Sequence, residues 1–357
     1  MILIRLLQIA VVTIVPTTSW AGELRIASWN IANLADAPEQ SLRGHVRSEQ
    51  DYNDIADRIA LLGADVIALQ EIGSIPGADR VLSAEFKVAF ESRCTNNIHK
   101  CQADNDDIYT AIAYRKDIAG EISVFQVDSL GIEHTNECGT TRPVRGGVGV
   151  RHEVDGNTTW ILSVHMKATC KDDRIEPGTE DDCLTQRAQY EALKTWIEEI
   201  PEDDTVVLAG DFNRHLLKST DSIRKEIFDD FSDEALFLPE GRTRSCWKGA
   251  KLDYTALKNQ ALANNPAFEA EGVKPRIFSP ISNLAIDFFV VFRPRSLRSI
   301  ASDQVEVDGY YDFRDPGSTI ENCDGSMKVT NPGNMETLTF GKANPSDHCP
   351  ILMTIGH

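Results

Sequence analysis

Residues 206–213, Val-Val-Leu-Ala-Gly-Asp-Phe-Asn, constrain this chain more than any other stretch. An apolar run rich in β-branched residues reads as a buried strand, and it stops at a glycine followed by an acid and an amide. Gly210 permits backbone angles that other residues avoid. Asp211 and Asn213 lie two positions apart, so on an extended chain their side chains point the same way. The expectation is a strand end that presents a carboxylate and a carboxamide to a pocket. The rest of the chain has to bring partners to that point.

Other segments end in a similar way. Residues 24–30 alternate like a strand and reach polar groups at Asn30 and Asn33. Residues 66–69 form an apolar run that ends at Gln70 and Glu71, and residues 159–164 run into His165 and Lys167. Tyr52, Ile55, Ile59 and Leu62 recur at helical spacing and are closed by Gly63. Leu184, Ala188, Ala192, Trp196 and Ile200 suggest one face of a second helix, stopped by Pro201. Strands are expected at 109–115 and 122–127, and Asp155-Gly156-Asn157 signals a hairpin. A short helix is expected over 221–231. Residues 284–292 read as a strand with an acid, Asp287, in its middle, and Ser346-Asp347-His348 precedes a last strand over 350–355. The stretches 239–283 and 312–346 carry little pattern. No internal repeat or linker is visible, so one α/β domain with mixed sheets is the simplest organisation.

Charge and cysteines narrow the setting. The net charge of -19 argues against a non-catalytic nucleic-acid binder, which shows a basic footprint. It leaves room for an enzyme that meets phosphate through a divalent cation, because the ion reverses the local field. Arg5, the apolar run 6–15 and the small residues Ser19 and Ala21 resemble a secretory signal with cleavage near Ala21, which makes 1–21 a leader and 22–357 the domain. The expected location is therefore secreted or periplasmic. All eight cysteines lie beyond that leader, which favours disulfides. Cys94 with Cys101 and Cys170 with Cys183 are close enough to staple single loops, while Cys138, Cys246, Cys323 and Cys349 could pair in several ways.

The polar groups at or near strand ends are Asn30, Glu71, His165, Asp211, Asn213, Asp287, Asp347 and His348. Carboxylates without neighbouring cysteines make a hard, oxygen-rich site that suits magnesium, with manganese or calcium as further candidates. Two histidines beside it can move protons near neutral pH. Phosphate-ester cleavage needs both parts. In order, Ser-Trp-Asn-Ile (28–31), Leu-Gln-Glu (69–71), Ser-Val-His (163–165), Gly-Asp-Phe-Asn (210–213), Ile-Asp-Phe (286–288) and Ser-Asp-His (346–348) resemble the successive motifs of the endonuclease/exonuclease/phosphatase superfamily. That group includes deoxyribonuclease I-like and exonuclease III-like nucleases, bacterial sphingomyelinases and inositol polyphosphate phosphatases.

The resemblance implies a four-layered α/β sandwich, two packed mixed sheets flanked by helices. It implies metal binding by Asn30, Glu71, Asp211 and Asp347. It implies catalytic roles for His165, Asp211, Asn213, Asp287 and His348, with Asp287 holding His348. Asn30 and Asn213 would also touch the phosphate. Ala32 stands where some repair nucleases carry an acid, and the proline- and tryptophan-rich stretch of inositol phosphatases is not found. Lys167 and Arg115 are further candidate substrate contacts, as are Arg142 and Arg145.

The favoured reading is an exported, metal-dependent phosphodiesterase that cuts DNA by direct attack of water. A second reading keeps the chemistry and takes a lipid head group as substrate, as in sphingomyelinase. Only Phe278, Tyr310 and Tyr311 offer aromatic loop contacts for that role. A third is a non-catalytic, toxin-like binding module on the same fold. A monomer without stable membrane association is expected.

Overall fold

The computed structural model describes residues 23–43, 45–96, 107–135, 139, 141–170, 181–218, 220–228, 231, 235–238, 247–248, 286–294, 297–304, 307–308, 310–311, 319–321, 327–329, 343–344, 348 and 350–356. The leader, Asp347 and most of 239–283 and 312–346 lie outside these residues.

Strand β1 (Glu23–Leu34) leads through helix α1 (Glu49–Leu62) into β2 (Val66–Ile72). Helix α2 (Ile75–Val81), β3 (Phe86–Phe90) and β4 (Tyr109–Arg115) follow. The chain continues through β5 (Glu121–Val127), β6 (Gly147–Val154) and β7 (Asn157–His165) to helix α3 (Asp181–Glu199) and β8 (Thr205–Asp211). Strands β9 (Leu236–Leu238), β10 (Asp287–Phe292), β11 (Ser299–Gln304) and β12 (Ile351–Gly356) complete it.

Local chemistry explains the boundaries. Ser48 caps α1 by accepting from the Asp51 amide, the Asp51 carboxylate answers the Ser48 amide, and Gly63 closes the helix in the left-handed region at φ 54°. The β6–β7 hairpin turns on Asp155 and Gly156, both at positive φ, which suits the twist of the two strands.

Two six-stranded sheets result, ordered β11-β12-β1-β2-β4-β3 and β9-β10-β8-β7-β6-β5. They share one pairing pattern. In each, a parallel pair (β1 with β2, β8 with β7) is flanked on both sides by antiparallel neighbours. Leu24, Ile26, Val66 and Ile112 from the first sheet meet Val150, Ile161, Val207 and Val291 from the second in the central core. Tyr52, Ile55 and Ile59 of α1 cover the outer face of the first sheet, and Tyr190, Leu193 and Ile197 of α3 cover that of the second. The order helix, sheet, sheet, helix is the four-layered sandwich expected.

Two expectations change in detail. Asp287 is the first residue of β10 rather than its middle, so its carboxylate stands at a strand end. The buried residues of α3 are Cys183, Thr185, Gln186, Gln189, Tyr190, Leu193 and Ile197, and Leu184 is exposed. A strict four-residue spacing drifts about 40° around a helix at each step, so the apolar series from Leu184 to Ile200 spirals off one face.

Candidate active site

The C-terminal ends of the two parallel pairs open at one edge of the sandwich. Register places Asn30 opposite Gln70 in the first sheet, and His165 opposite Asp211 opposite Asp287 in the second. The sheets meet there through Asn30, whose Nδ2 donates to Glu71 Oε1 at 3.1 Å and to Asp211 Oδ2 at 3.1 Å. Its Oδ1 accepts from the Ala32 amide at 2.9 Å.

The backbone is bent to achieve this. Ala32, Asn33, Glu71 and Asn213 all lie at positive φ, between 50° and 62°, where non-glycine residues are uncommon. The β1–β2 ladder slips between Asn30 and Leu34, and the β2–β4 ladder slips between Leu69 and Ile72. Arg47 holds the first of these bulges, donating from Nη2 to the carbonyls of Ile31 at 2.6 Å and Ala32 at 2.5 Å. Asn213 does not sit on an extended chain beyond Asp211. Its amide donates to Asp211 Oδ1 at 2.8 Å, closing a turn that still brings its Nδ2 to Asp211 Oδ2 at 3.1 Å.

His348 arrives from the segment before β12, with its carbonyl accepting from Trp29 Nε1 at 3.1 Å. Its Nδ1 meets Asp287 Oδ2 at 2.8 Å, and its Nε2 faces Asp211 Oδ2 at 3.9 Å. His165 Nε2 lies 3.5 Å from Asp211 Oδ2 and 3.8 Å from Glu71 Oε1. Asp211 is thus the hub of the cluster, reached by two amides and two imidazoles.

Burial sets the protonation. It pushes the Asp211 carboxyl up to about 7, with Asp287 and Glu71 adding to the rise while His348 and the Asn213 amide oppose it. Burial also holds His165 well below the ordinary histidine range, reinforced by the nearby charges of Arg145 and His348. His165 is therefore neutral at pH 7.

The donor set fits a divalent cation. Ligand atoms of Asp211, Asp287 and His348 all lie within 4.8 Å of one another, and Asn30 Nδ2 joins Glu71 to Asp211. Asp287 Oδ1 is buried without a hydrogen-bond partner among the described residues, so positive charge nearby, on His348 or a cation at Asp211, would relieve it.

Not every expected residue reaches the cluster. Arg115 pairs opposite Phe86 and donates its amide to Asp65, at the end of the first sheet where β2 begins. At strand rise this is about 20 Å from the Glu71 end, and the guanidinium is spent on Asp117 at 2.8 Å and Glu85 at 3.1 Å. Arg142 is likewise paired with Asp107. Lys167 follows β7 closely, but its ammonium binds Asp182 Oδ1 at 2.8 Å instead of facing the carboxylates. The strand ends at His165, so the alternation that would aim Lys167 inward is lost. The Cys170–Cys183 disulfide forms as expected and holds Asp182 beside that lysine. Cys94 is disulfide-bonded, and Cys101 lies outside the described residues.

Arg145 does reach the site. It donates from Nε to the His165 carbonyl at 3.0 Å and from Nη2 to the Met166 carbonyl at 2.7 Å. Burial lowers its guanidinium to about 10, opposed by the charges of Glu71 and Asp211. Its support comes from Glu91, which the sequence reading passed over. This carboxylate is fully buried, bridged by Arg93 at 2.7 Å and 2.9 Å, and accepts the Gly146 amide at 2.5 Å. A glutamate one residue past a short strand carries no signal that separates it from a solvated one.

A sequence profile of the Endonuclease/Exonuclease/phosphatase family matches residues 27–348. No curated protein sequence matches the chain. Solved structures with a similar fold include an endonuclease/exonuclease/phosphatase from Bacteroides vulgatus, at 16% identity and TM-score 0.47, covering 93% of this chain and 98% of that one. They also include a humanized D. rerio TDP2, at 15% identity and TM-score 0.46, covering 94% and 99%. The human Nocturnin catalytic domain with bound sulfate stands at 14% identity and TM-score 0.44, covering 94% of each chain. With the profile spanning all of the strand-end motifs from Asn30 to His348, the chain belongs to the endonuclease/exonuclease/phosphatase family of phosphoester hydrolases.

Proposed function

We propose that this protein is an exported, divalent-metal-dependent phosphodiesterase whose substrate is nucleic acid, DNA in the first instance. The observation that carries the reading is the gathering of Asn30, Glu71, His165, Asp211, Asn213, Asp287 and His348 from two sheets around one carboxylate.

The geometry supports a role for each residue. Asp287 accepts the Nδ1 proton of His348, which leaves Nε2 as the basic nitrogen facing the cluster. His348 takes the proton of the attacking water, and Asp287 stabilises the imidazolium that forms. Asp211 orients that water. His165, kept neutral by burial, bonds a phosphoryl oxygen or serves the leaving oxygen. Arg145, fixed by two carbonyls, keeps Nη1 for a phosphate oxygen. Glu71, Asp211 and, by the family resemblance, Asp347 would hold the cation, which when bound offsets charge on the phosphoryl oxygens and lowers the pKa of water. Asn30 keeps the Glu71 and Asp211 carboxylates together.

Nucleic acid is preferred over a lipid head group because the sequence offers few aromatic loop residues for a membrane surface. Exposed large apolar side chains are scattered singly among the described residues, and no described helix is long and apolar enough to cross a membrane.

The test is a substrate panel with the purified protein from Gly22 onward. Plasmid DNA, RNA, sphingomyelin and an inositol phosphate are each assayed with magnesium, manganese or calcium. Plasmid cleavage is expected, abolished reversibly by chelator, and His348→Ala should lower kcat by about 10²–10⁴-fold while the fold is kept. Full activity of His348→Ala on every phosphoester tried would overturn the mechanism.

A further inference from the structure

Helix α3 places two carboxamides, Gln186 and Gln189, one turn apart on its buried face, and both are fully excluded from solvent. An outer helix that only covered a sheet would use apolar residues at such positions, since buried amides are costly unless every polar atom is satisfied. Here they are satisfied almost wholly by loop backbone. Gln186 Nε2 donates to the Lys167 carbonyl at 2.7 Å and the Asn213 carbonyl at 3.3 Å, and its Oε1 accepts from Arg214 at 3.2 Å. Gln189 Oε1 accepts the Lys167 amide at 2.7 Å, and its Nε2 donates to the carbonyls of Leu130 at 3.1 Å and Arg145 at 3.3 Å. Tyr190 adds a bond to the Phe212 carbonyl at 2.9 Å.

Apart from the turn at Leu130, the loops so held carry site groups. The segment from His165 to Lys167 supplies one imidazole, the turn at 212–213 supplies Asn213, and Arg145 spans both through Met166. Arg214 extends the lattice, bridging the Cys170 carbonyl at 2.8 Å and Asp221 at 2.8 Å. The Cys170–Cys183 disulfide then ties the loop after β7 to the first turn of α3, immediately ahead of Gln186.

We propose that Gln186 and Gln189 are positioning residues for catalysis, setting the spacing of the His165, Asn213 and Arg145 segments from one rigid helix, and that the Cys170–Cys183 disulfide locks the turn that carries them. This rests on the phosphodiesterase reading above. The physical reason is that a small displacement of reacting groups costs far more rate than stability.

The test uses the full folded protein. Gln186→Glu keeps the shape and the oxygen that faces Arg214 but removes both donated bonds. Its expected result is a kcat lowered about tenfold or more with KM changed less than about twofold. Amide hydrogen exchange in peptides covering 166–169 and 212–214 should rise, and the melting temperature should fall as two buried carbonyls lose their donors, so kcat is read per folded molecule. Gln189→Glu, and the Cys170→Ser/Cys183→Ser pair, should raise exchange in the same peptides, and they carry the test if Gln186→Glu does not fold. Unchanged exchange in these peptides overturns the proposal. So does a large fall in melting temperature with kcat per folded molecule unchanged, which is what a purely structural role gives. A wild-type protein that cleaves no phosphoester overturns the phosphodiesterase reading instead, while the exchange measurement still decides whether the helix sets the loops.

Discussion

At the scale of single residues, Asp211 concentrates the tension of the site. Its folded pKa of about 7 stands above its ordinary 3.8, so between those values the native state holds a proton that the unfolded chain has lost. That contribution to stability is complete below the ordinary value and disappears as pH rises through about 7. Metal-free wild type should therefore melt progressively lower relative to Asp211→Asn as pH rises from about 5 to 8, and a divalent cation should remove the difference. Thermal circular dichroism of the two proteins, with and without cation, reads this directly, and a flat difference would sink it. His165 has the opposite sign, because its depressed pKa stabilises the fold above about 6.5 and costs stability on acidification. The residues of this hub were legible because each sits next to an apolar strand, where a polar group needs a reason. Gln186, Gln189 and Glu91 were not, since their role depends on carbonyls and amides that only folding brings within reach. Arg115 was legible as a strand end, but a strand has two ends, and the sequence does not say which one opens on the site.

At the scale of elements, β8 shows how tightly the site is built into the sheet. Gly210 packs against β7 so closely that a Cβ would lie 2.0 Å from the Val164 carbonyl oxygen. Gly210→Ala must push the parallel pair apart just before His165 and Asp211. The expected cost is about 1–3 kcal/mol or more in stability. Phosphodiesterase activity should fall further than the loss of folded protein accounts for. Chemical denaturation with parallel activity assays checks this, and wild-type stability in Gly210→Ala would contradict it. Most strands, α1 and the hairpin at Gly156 follow from periodicity and turn chemistry, whereas β3, β9 and β11 are too short or too mixed in pattern to do so. The α3 face followed only in part: Ala192, Trp196 and Ile200 do pack against the core, but two of the seven buried positions of the helix are glutamines, which apolar spacing does not reveal.

At the scale of the whole molecule, the net charge of -19 opposes the polyanionic substrate proposed above. Screening should then help encounter before it weakens the local contacts. Raising monovalent salt from about 10 to 100 mM is expected to increase kcat/KM on plasmid DNA by about twofold, the reverse of a basic nuclease. A monotonic fall over that range in a steady-state assay would show that local cations govern encounter. The layered architecture was anticipated, whereas the matching pairing pattern of the two sheets was not, since it resides in hydrogen-bond topology and leaves no repeat in the residues.

One pairing has a practical side. Glu23 lies opposite Gly356 in the antiparallel β1–β12 ladder, with six residues of β1 between Glu23 and Asn30 at the cleft. Whatever is fused ahead of the first or behind the second leaves from a shared anchorage on the far side of the sandwich. A tether attached there would hang the enzyme mouth-outward from a bead or a chip.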